Sequence, residues 1–209
     1  NGFFGPKMDL LGTAVADWVL ESYPKLKVRR ILEIGCAIGQ STIAWKDKFP
    51  SAEVFGIDLG APMLRYGHAR AESLRKKIHF SQQNGEKTSF PDSFFDLVVS
   101  HATLHETSLK ALKNILFESY RILNTGGLMI HNEGMPFRNM KPIDRIIPDW
   151  DTHFNAEPFI TKMRSLDLSE FAVQAGWPKH STRNDIIRPN KKNKNSSLQA
   201  FYLLVGEKP

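Results

Sequence analysis

Glu33, Gly35, Gly39 and Asp58 are the residues whose types and spacing could do chemistry. The two glycines follow the apolar run Ile31-Leu32-Glu33-Ile34, and Asp58 closes a second run, Val54-Phe55-Gly56-Ile57. Glycine lets a backbone turn sharply and approach a ligand where a Cβ would intervene. Asp58 offers two acceptor oxygens to a diol such as a ribose. Glu33 could hold a cationic group or orient the turn. Three histidines, His101, His105 and His131, fall at or just after expected strand ends. A neutral imidazole there could take a proton from a hydroxyl or an amine near pH 7. His105, followed by Glu106, is the first candidate for that role. His131 with Glu133 is the second, and His153 is the third.

Two other chemistries use the same residue types. A dinucleotide site needs glycines spaced G-x-G-x-x-G, and Ala37 and Gln40 stand where the further glycines would be. Pyrophosphate then has less room against the helix start. A metal could use His101 and His105, whose i, i+4 spacing suits a helical zinc site. The H-E-x-x-H order is absent, however, and a strand-to-turn transition should split the pair, so no metal is expected.

These residues need a frame that brings two strand ends together. Strand, glycine turn, helix and second strand make half of a nucleotide-binding α/β sheet. Along the rest of the chain, apolar patterning predicts an opening helix over residues 9–23, with Leu10, Ala14, Trp18 and Leu20 near one side. Strands are expected at 28–34, 52–57, 78–82, 95–100 and 128–132, with a closing pair at 182–188 and 200–205. Helices are expected at 40–48, from about Pro62 to Lys77, at 109–123 and at 168–175. Pro62 suits a helix start because its φ is fixed. No internal repeat is evident.

Glu33-x-Gly35-Cys36-x-x-Gly39, with Asp58 on the next strand, resembles the class I S-adenosylmethionine-dependent methyltransferases. So do Asn84-Gly85-Glu86, the segment Phe90-Pro91-Asp92-Ser93-Phe94-Phe95-Asp96 with the strand after it, and Leu123-Asn124-Thr125-Gly126-Gly127 before the fifth strand. Together the motifs run from about Ile31 to Glu133. The resemblance implies an α/β fold: a Rossmann-like, doubly wound, seven-stranded and mostly parallel sheet with one antiparallel edge strand and helices on both faces. It also implies S-adenosyl-L-methionine as the methyl donor.

The same resemblance assigns cofactor roles. Gly35, Cys36, Ala37 and Gly39 form the turn, with Glu33 behind it, and Asp58 holds the ribose. Leu59 and Met63 flank the adenine, although Met63 could equally be ordinary core packing. Asn84 stands where the family often has Asp beside the adenine amine; its amide oxygen can still accept, so binding should weaken rather than vanish. A backbone N–H at Gly85 or Glu86 could meet the adenine ring, and Glu86 organises the loop. Ser100 and His101 end the fourth strand, where a backbone carbonyl could meet the methionine ammonium.

Composition agrees with one such domain over all 209 residues, 41% of them apolar. Residues 1–27 read as a helical lead-in. No apolar run approaches the ~20 residues that span a bilayer, and no signal peptide is visible. The single cysteine excludes an internal disulfide. A cytoplasmic location is the expectation, and Cys36 reads as a small loop-filling residue. The chain opens on Asn1, so an upstream segment is also expected.

The net charge of +6 raises a nucleic-acid partner. The cations are dispersed, however. Arg75, Lys76 and Lys77 suit a helix C-terminus, and the basic run at 191–195 has no interleaved aromatics to stack bases.

Residues 135–166 hold four prolines, Trp150, Phe154, Phe159 and His153. This stretch of about 30 residues without clear period exceeds ordinary connections, and in the family its position resembles a substrate cap. The expected activity is therefore methyl transfer to a small-molecule oxygen or nitrogen nucleophile.

Three alternatives remain at this stage. One is an RNA or protein methyltransferase, against which Ser100-His101-Ala102-Thr103 replaces the Asn/Asp-Pro-Pro-aromatic sequence of many amino-group nucleic-acid enzymes. Another is a non-catalytic S-adenosylmethionine-binding protein. The third is a nicotinamide-dependent dehydrogenase, disfavoured by Ala37 and Gln40.

Overall fold

A computed structural model describes residues 10–188 and 200–209. The chain's first nine residues and the basic run at 191–195 lie outside the described residues. Seven strands form one sheet: β1 (Arg30–Ile34), β2 (Glu53–Asp58), β3 (His79–Gln82), β4 (Phe95–His101), β5 (Leu123–Glu133), β6 (Thr182–Ile187) and β7 (Phe201–Glu207). Their order is β3-β2-β1-β4-β5-β7-β6. β1 to β5 pair in parallel, and β7 runs antiparallel to both β5 and β6. The reversed strand thus lies one place in from the edge rather than on it. β7 fills the gap between β5 and β6, and β6 closes the sheet.

The strand order reverses between β1 and β4, which opens a crevice at their carboxyl ends. Asp96, at the far end of β4, binds three neighbours. It accepts from Arg29 N (2.7 Å), Arg30 N (3.0 Å) and Asn124 Nδ2 (2.8 Å). One carboxylate thereby fixes the register of β1, β4 and β5.

Period-two alternation splits the apolar residues into two cores. Leu32, Ile34, Val98, Met129 and Leu204 pack with α4 (Leu109–Ile122) and α7 (Leu168–Gln174). Ile31, Leu97, Val99, Ile130 and Val205 pack with α1 (Leu10–Ser22), α2 (Gln40–Lys48) and α3 (Ala61–Ser73).

α1 buries Gly12, Val15, Ala16 and Val19, with i, i+3, i+4, i+7 spacing. The face expected from sequence is displaced, and Leu20 stands exposed. Gly12 explains the rotation, because a Cβ there would lie 2.8 Å from the Ser41 backbone of α2.

α3 stops at Ser73, four residues before its expected end. Arg75 adopts φ 55°. Its N–H bonds Glu72 O, and Lys76 N–H bonds Ala71 O, which is a Schellman termination with arginine in the place glycine usually takes. Arg75, Lys76 and Lys77 therefore follow the helix instead of closing it, and Lys76 pairs with Asp47.

The segment 135–166 is more regular than its sequence suggested. It contains α5 (Ile146–Phe154), α6 (Ile160–Arg164) and two short 3-10 turns. Met135, Met140, Ile160 and Met163 anchor it in the interior, while Ile143, Ile146, Ile147, Trp150 and Phe154 remain exposed on its outer side. Among the described residues no helix is long and apolar enough to cross a membrane.

Candidate functional site

A cavity of about 610 Å³ opens at the carboxyl ends of β1, β2 and β4. Its walls include Gly35, Ala37, Asp58, Asn84, Thr103 and Glu106, with Phe159 contributed by the cap. A second depression, of about 570 Å³ between Lys25 and Gly127, lies near Asp96 at the opposite strand ends, away from this crevice.

The glycine turn is held by β2. The N–H groups of Gly35 and Cys36 both donate to Ile57 O, at 2.8 and 3.0 Å. Gly35 has φ 71°, and a Cβ there would run into the Thr103 side chain. Gly39, at φ 72°, starts α2; its Cβ would sit 2.7 Å from Phe80 Cζ of β3. Ala37 occupies φ 44° and turns its N–H to Asp58 Oδ2 at 2.8 Å. Asp58 Oδ1 accepts from Gly60 N at 2.7 Å. The two loops are thus clamped by one carboxylate, and each of its oxygens keeps a lone pair for a ligand in the cavity.

The remaining expected donor-site residues divide by position. Leu59, Asn84, Gly85 and Glu86 line the cavity. Asn84 Oδ1 accepts from Glu86 N (2.9 Å), and Glu86 Oε2 accepts from Asn114 Nδ2 (2.8 Å), so Glu86 organises its loop. Met63 is half exposed beside Gly60 and outside the cavity wall. Glu33 lies behind the turn at 2% exposure and accepts from the Thr42 hydroxyl. Burial pushes its carboxyl up to about 8, against the opposing bonds from Thr42 and Ser41. Of its two expected uses, this placement fits orienting the turn. Cys36 is buried with its sulfur against Gly56, and burial raises its thiol far above the reactive range.

The histidines separate sharply. His101 borders the cavity, but its Nε2 accepts from Trp45 Nε1 at 3.0 Å. Burial, with some repulsion from His131, lowers its pKa to about 3. Its Nδ1 lies 3.4 Å from Asn132 Nδ2, while Asn132 Oδ1 has no partner among the described residues. Turning that amide over would satisfy both groups.

His131 corrects the sequence reading. It lies within β5, fully buried, with Nδ1 2.7 Å from Ser100 Oγ. Burial lowers its pKa to about 3. Because β5 continues to Glu133, neither His131 nor the Ser100 side chain reaches the cavity. His153 is a second correction: it sits on the outer side of α5, exposed, 3.9 Å from Asp149.

His105 lies beside the cavity, though its own side chain is not part of the lining. It lies in the turn Leu104–Glu106, whose neighbours Thr103, Glu106 and Thr107 line the cavity. Its Nδ1 is 2.7 Å from Glu133 Oε2, and its Nε2 faces Glu157 of the cap at 4.0 Å. Burial alone would lower its pKa. The bond to Glu133, with the charges of Glu133, Glu157 and Glu106, outweighs burial and leaves the pKa raised.

His105, Glu106 and Glu157 bring ligand-type atoms within 4.8 Å of one another, so this end of the cavity could hold a cation. Sequence reasoning did not list Thr103, Thr107, Ser108, Ala111 or Phe159 among the lining residues. Thr103, Thr107 and Ser108 follow β4 in a turn without a motif, and Ala111 lies in the first turn of α4. Phe159 arrives from a segment whose docking no local pattern encodes.

Comparison with known proteins shows what the chain is similar to. A family described as "Methyltransferase domain" matches residues 31–127. The matched segment is a little under half of the 209 residues, and over it the chain is similar to this methyltransferase family.

The chain is 31% identical over 120 residues to a demethylmenaquinone methyltransferase of Thermus thermophilus, covering 57% of this chain and 52% of that protein. It is 29% identical over 126 residues to an uncharacterized Haemophilus influenzae protein, covering 59% and 50%. The matched segment thus spans about half the length of these relatives. Its fold matches that of Haemonchus contortus phosphoethanolamine N-methyltransferase 2, solved in complex with S-adenosyl-L-methionine. The TM-score is 0.69 at 14% identity, covering 99% of this chain and 55% of that one.

The cavity fits S-adenosyl-L-methionine. It has room for a nucleoside, a turn where a Cβ at Gly35 would clash, and a clamped carboxylate with free lone pairs at the β2 end.

Proposed function

We propose that this chain transfers a methyl group from S-adenosylmethionine to a small-molecule nitrogen or oxygen nucleophile, with a nitrogen that arrives protonated as the better fit. One observation carries the reading. A single cavity has Asp58 and the glycine turn at one end, and Glu106, beside His105 and Glu157, at the other. When bound, S-adenosylmethionine supplies a methyl already activated by its positive sulfur.

The chain supplies placement. Asp58 holds the ribose hydroxyls with the lone pairs not used by Ala37 and Gly60. Gly35 lets the backbone approach closely, and Leu59 and Asn84 border the adenine. Holding the nucleophile in line with the methyl is worth up to ~7–11 kcal/mol in well-oriented systems. His105 receives the acceptor's proton at Nε2. Glu106 and Glu157 attract a cationic acceptor, and Phe159 helps exclude water at the cap.

The test is transfer of isotope-labelled methyl from S-adenosylmethionine to panels of small amines, phenols and carboxylic acids. Label in the amines supports the reading. Label only in added RNA or protein would replace it with a macromolecular acceptor, and donor binding without any label would replace it with a binding role.

A further inference from the structure

We propose that Glu133 is the positioning residue for His105: it holds the ring's Nδ1–H and so leaves Nε2 bare toward the acceptor end of the cavity. The proposal rests on the reading of that end as the acceptor side, and it concerns a residue at the last position of β5.

Glu133 is 2% exposed. Its two oxygens divide the work. Oε1 accepts from the backbone N–H of Thr103 (2.9 Å) and of Leu104 (2.6 Å). Oε2 meets His105 Nδ1 at 2.7 Å. One carboxylate therefore shapes the turn after β4 and selects the tautomer of the ring that the turn carries. A carboxylate can only accept, so Nδ1 must be the donor. Nε2 is then an acceptor, which is the state a general base requires.

The charged groups facing the ring are Glu133 from β5, Glu106 from its own turn and Glu157 from the cap. Arg164 of α6 lies near Glu133 and binds Met135 O at 2.9 Å. Glu157 faces Nε2 at 4.0 Å. Among the described residues only Glu133 touches Nδ1 within hydrogen-bond distance, so it sets the tautomer.

Glu133→Gln isolates this role. The amide oxygen can keep the two backbone bonds of the turn. The amide NH₂ then faces Nδ1, forces it to accept and moves the proton to Nε2. The probe is the nitrogen-15 spectrum of the histidine side chains against pH, with the His105 signal assigned by its loss in His105→Ala. Binding of S-adenosylhomocysteine is measured alongside.

In the unsubstituted protein, neutral His105 should carry its proton on Nδ1. In Glu133→Gln it should carry it on Nε2 and titrate at lower pH, with S-adenosylhomocysteine affinity unchanged. An Nε2–H tautomer in the unsubstituted protein overturns the proposal, whether or not the variant folds. So does the same tautomer and midpoint in both proteins. Failure of the unsubstituted protein to bind S-adenosylhomocysteine would instead contradict the donor site, and the tautomer result would stand apart from it.

Discussion

At the scale of single residues, Asp58 lines the cavity and His105 stands beside its Glu106 wall, so under the proposed roles their substitutions should separate. His105→Ala should leave S-adenosylhomocysteine affinity unchanged and lower kcat for the acceptor by about 10²–10⁴-fold, the usual contribution of a positioned base. Titration calorimetry and methyl-transfer rates check the two halves, and loss of donor affinity would move His105 into the donor site or the fold.

Asp58, Gly35 and Ala37 were legible from sequence because strand and turn chemistry place them without help from the rest of the chain. The roles of His131 and His153 were not. Whether a strand histidine reaches the strand end depends on where β5 stops, and β5 extends to Glu133. Whether a cap histidine faces inward depends on which side of α5 the cap buries. Neither is a local property, and His105 differs from His131 in lying partly exposed in a turn beside a carboxylate rather than buried within a strand.

At the scale of elements, the glycine turn and α2 are joined to β3 through Gly39. An alanine there meets Phe80 at 2.7 Å and must hold a left-handed φ of 72°. Crowding of this kind costs roughly 1–3 kcal/mol, and left-handed backbone adds about 1–2 kcal/mol. Gly39→Ala should therefore lower unfolding free energy by about 2–5 kcal/mol in chemical denaturation. An unchanged midpoint would mean that Phe80 moves freely aside.

Element existence was readable from period and breakers along most of the chain. Two features were missed for identifiable reasons. α3 ends early because Arg75 takes a left-handed conformation that its residue type does not announce. The cap hides two short helices because its four prolines interrupt the pattern used to recognise them.

For the whole molecule, buried titratable groups on several strands set the pH range of stability. His101 and His131 sit near 3 in the folded state against an ordinary value of about 6.5. The unfolded chain therefore binds protons that the folded chain refuses, and stability is lost as pH falls from about 6.5 toward 3. Glu33 acts oppositely. Its folded value of about 8 lies above the usual carboxylate range, so its contribution is present at low pH and is lost as pH rises toward about 8. His105, with its raised pKa, adds to the loss above neutrality. Each group changes the slope by about 1.4 kcal/mol per pH unit across its window. Denaturation midpoints should peak near pH 6–7 and decline on both sides. A plateau from pH 4 to 9 would contradict these assignments.

The sheet that buries these groups was readable as a class, yet the seat of its reversed strand was not. β7 pairs with partners distant in sequence, and alternation alone does not order them.

The central claim is that the crevice between the glycine turn and Asp58 holds S-adenosylmethionine. The most direct measurement is calorimetric titration of the unsubstituted protein and of Asp58→Ala with S-adenosylhomocysteine. Two hydrogen bonds to a charged acceptor, at ~1.5–3 kcal/mol each, predict saturable 1:1 binding to the first and affinity weaker by about 10²-fold or more in the second. Equal affinity in the two folded proteins, or no binding to the unsubstituted one, would contradict it.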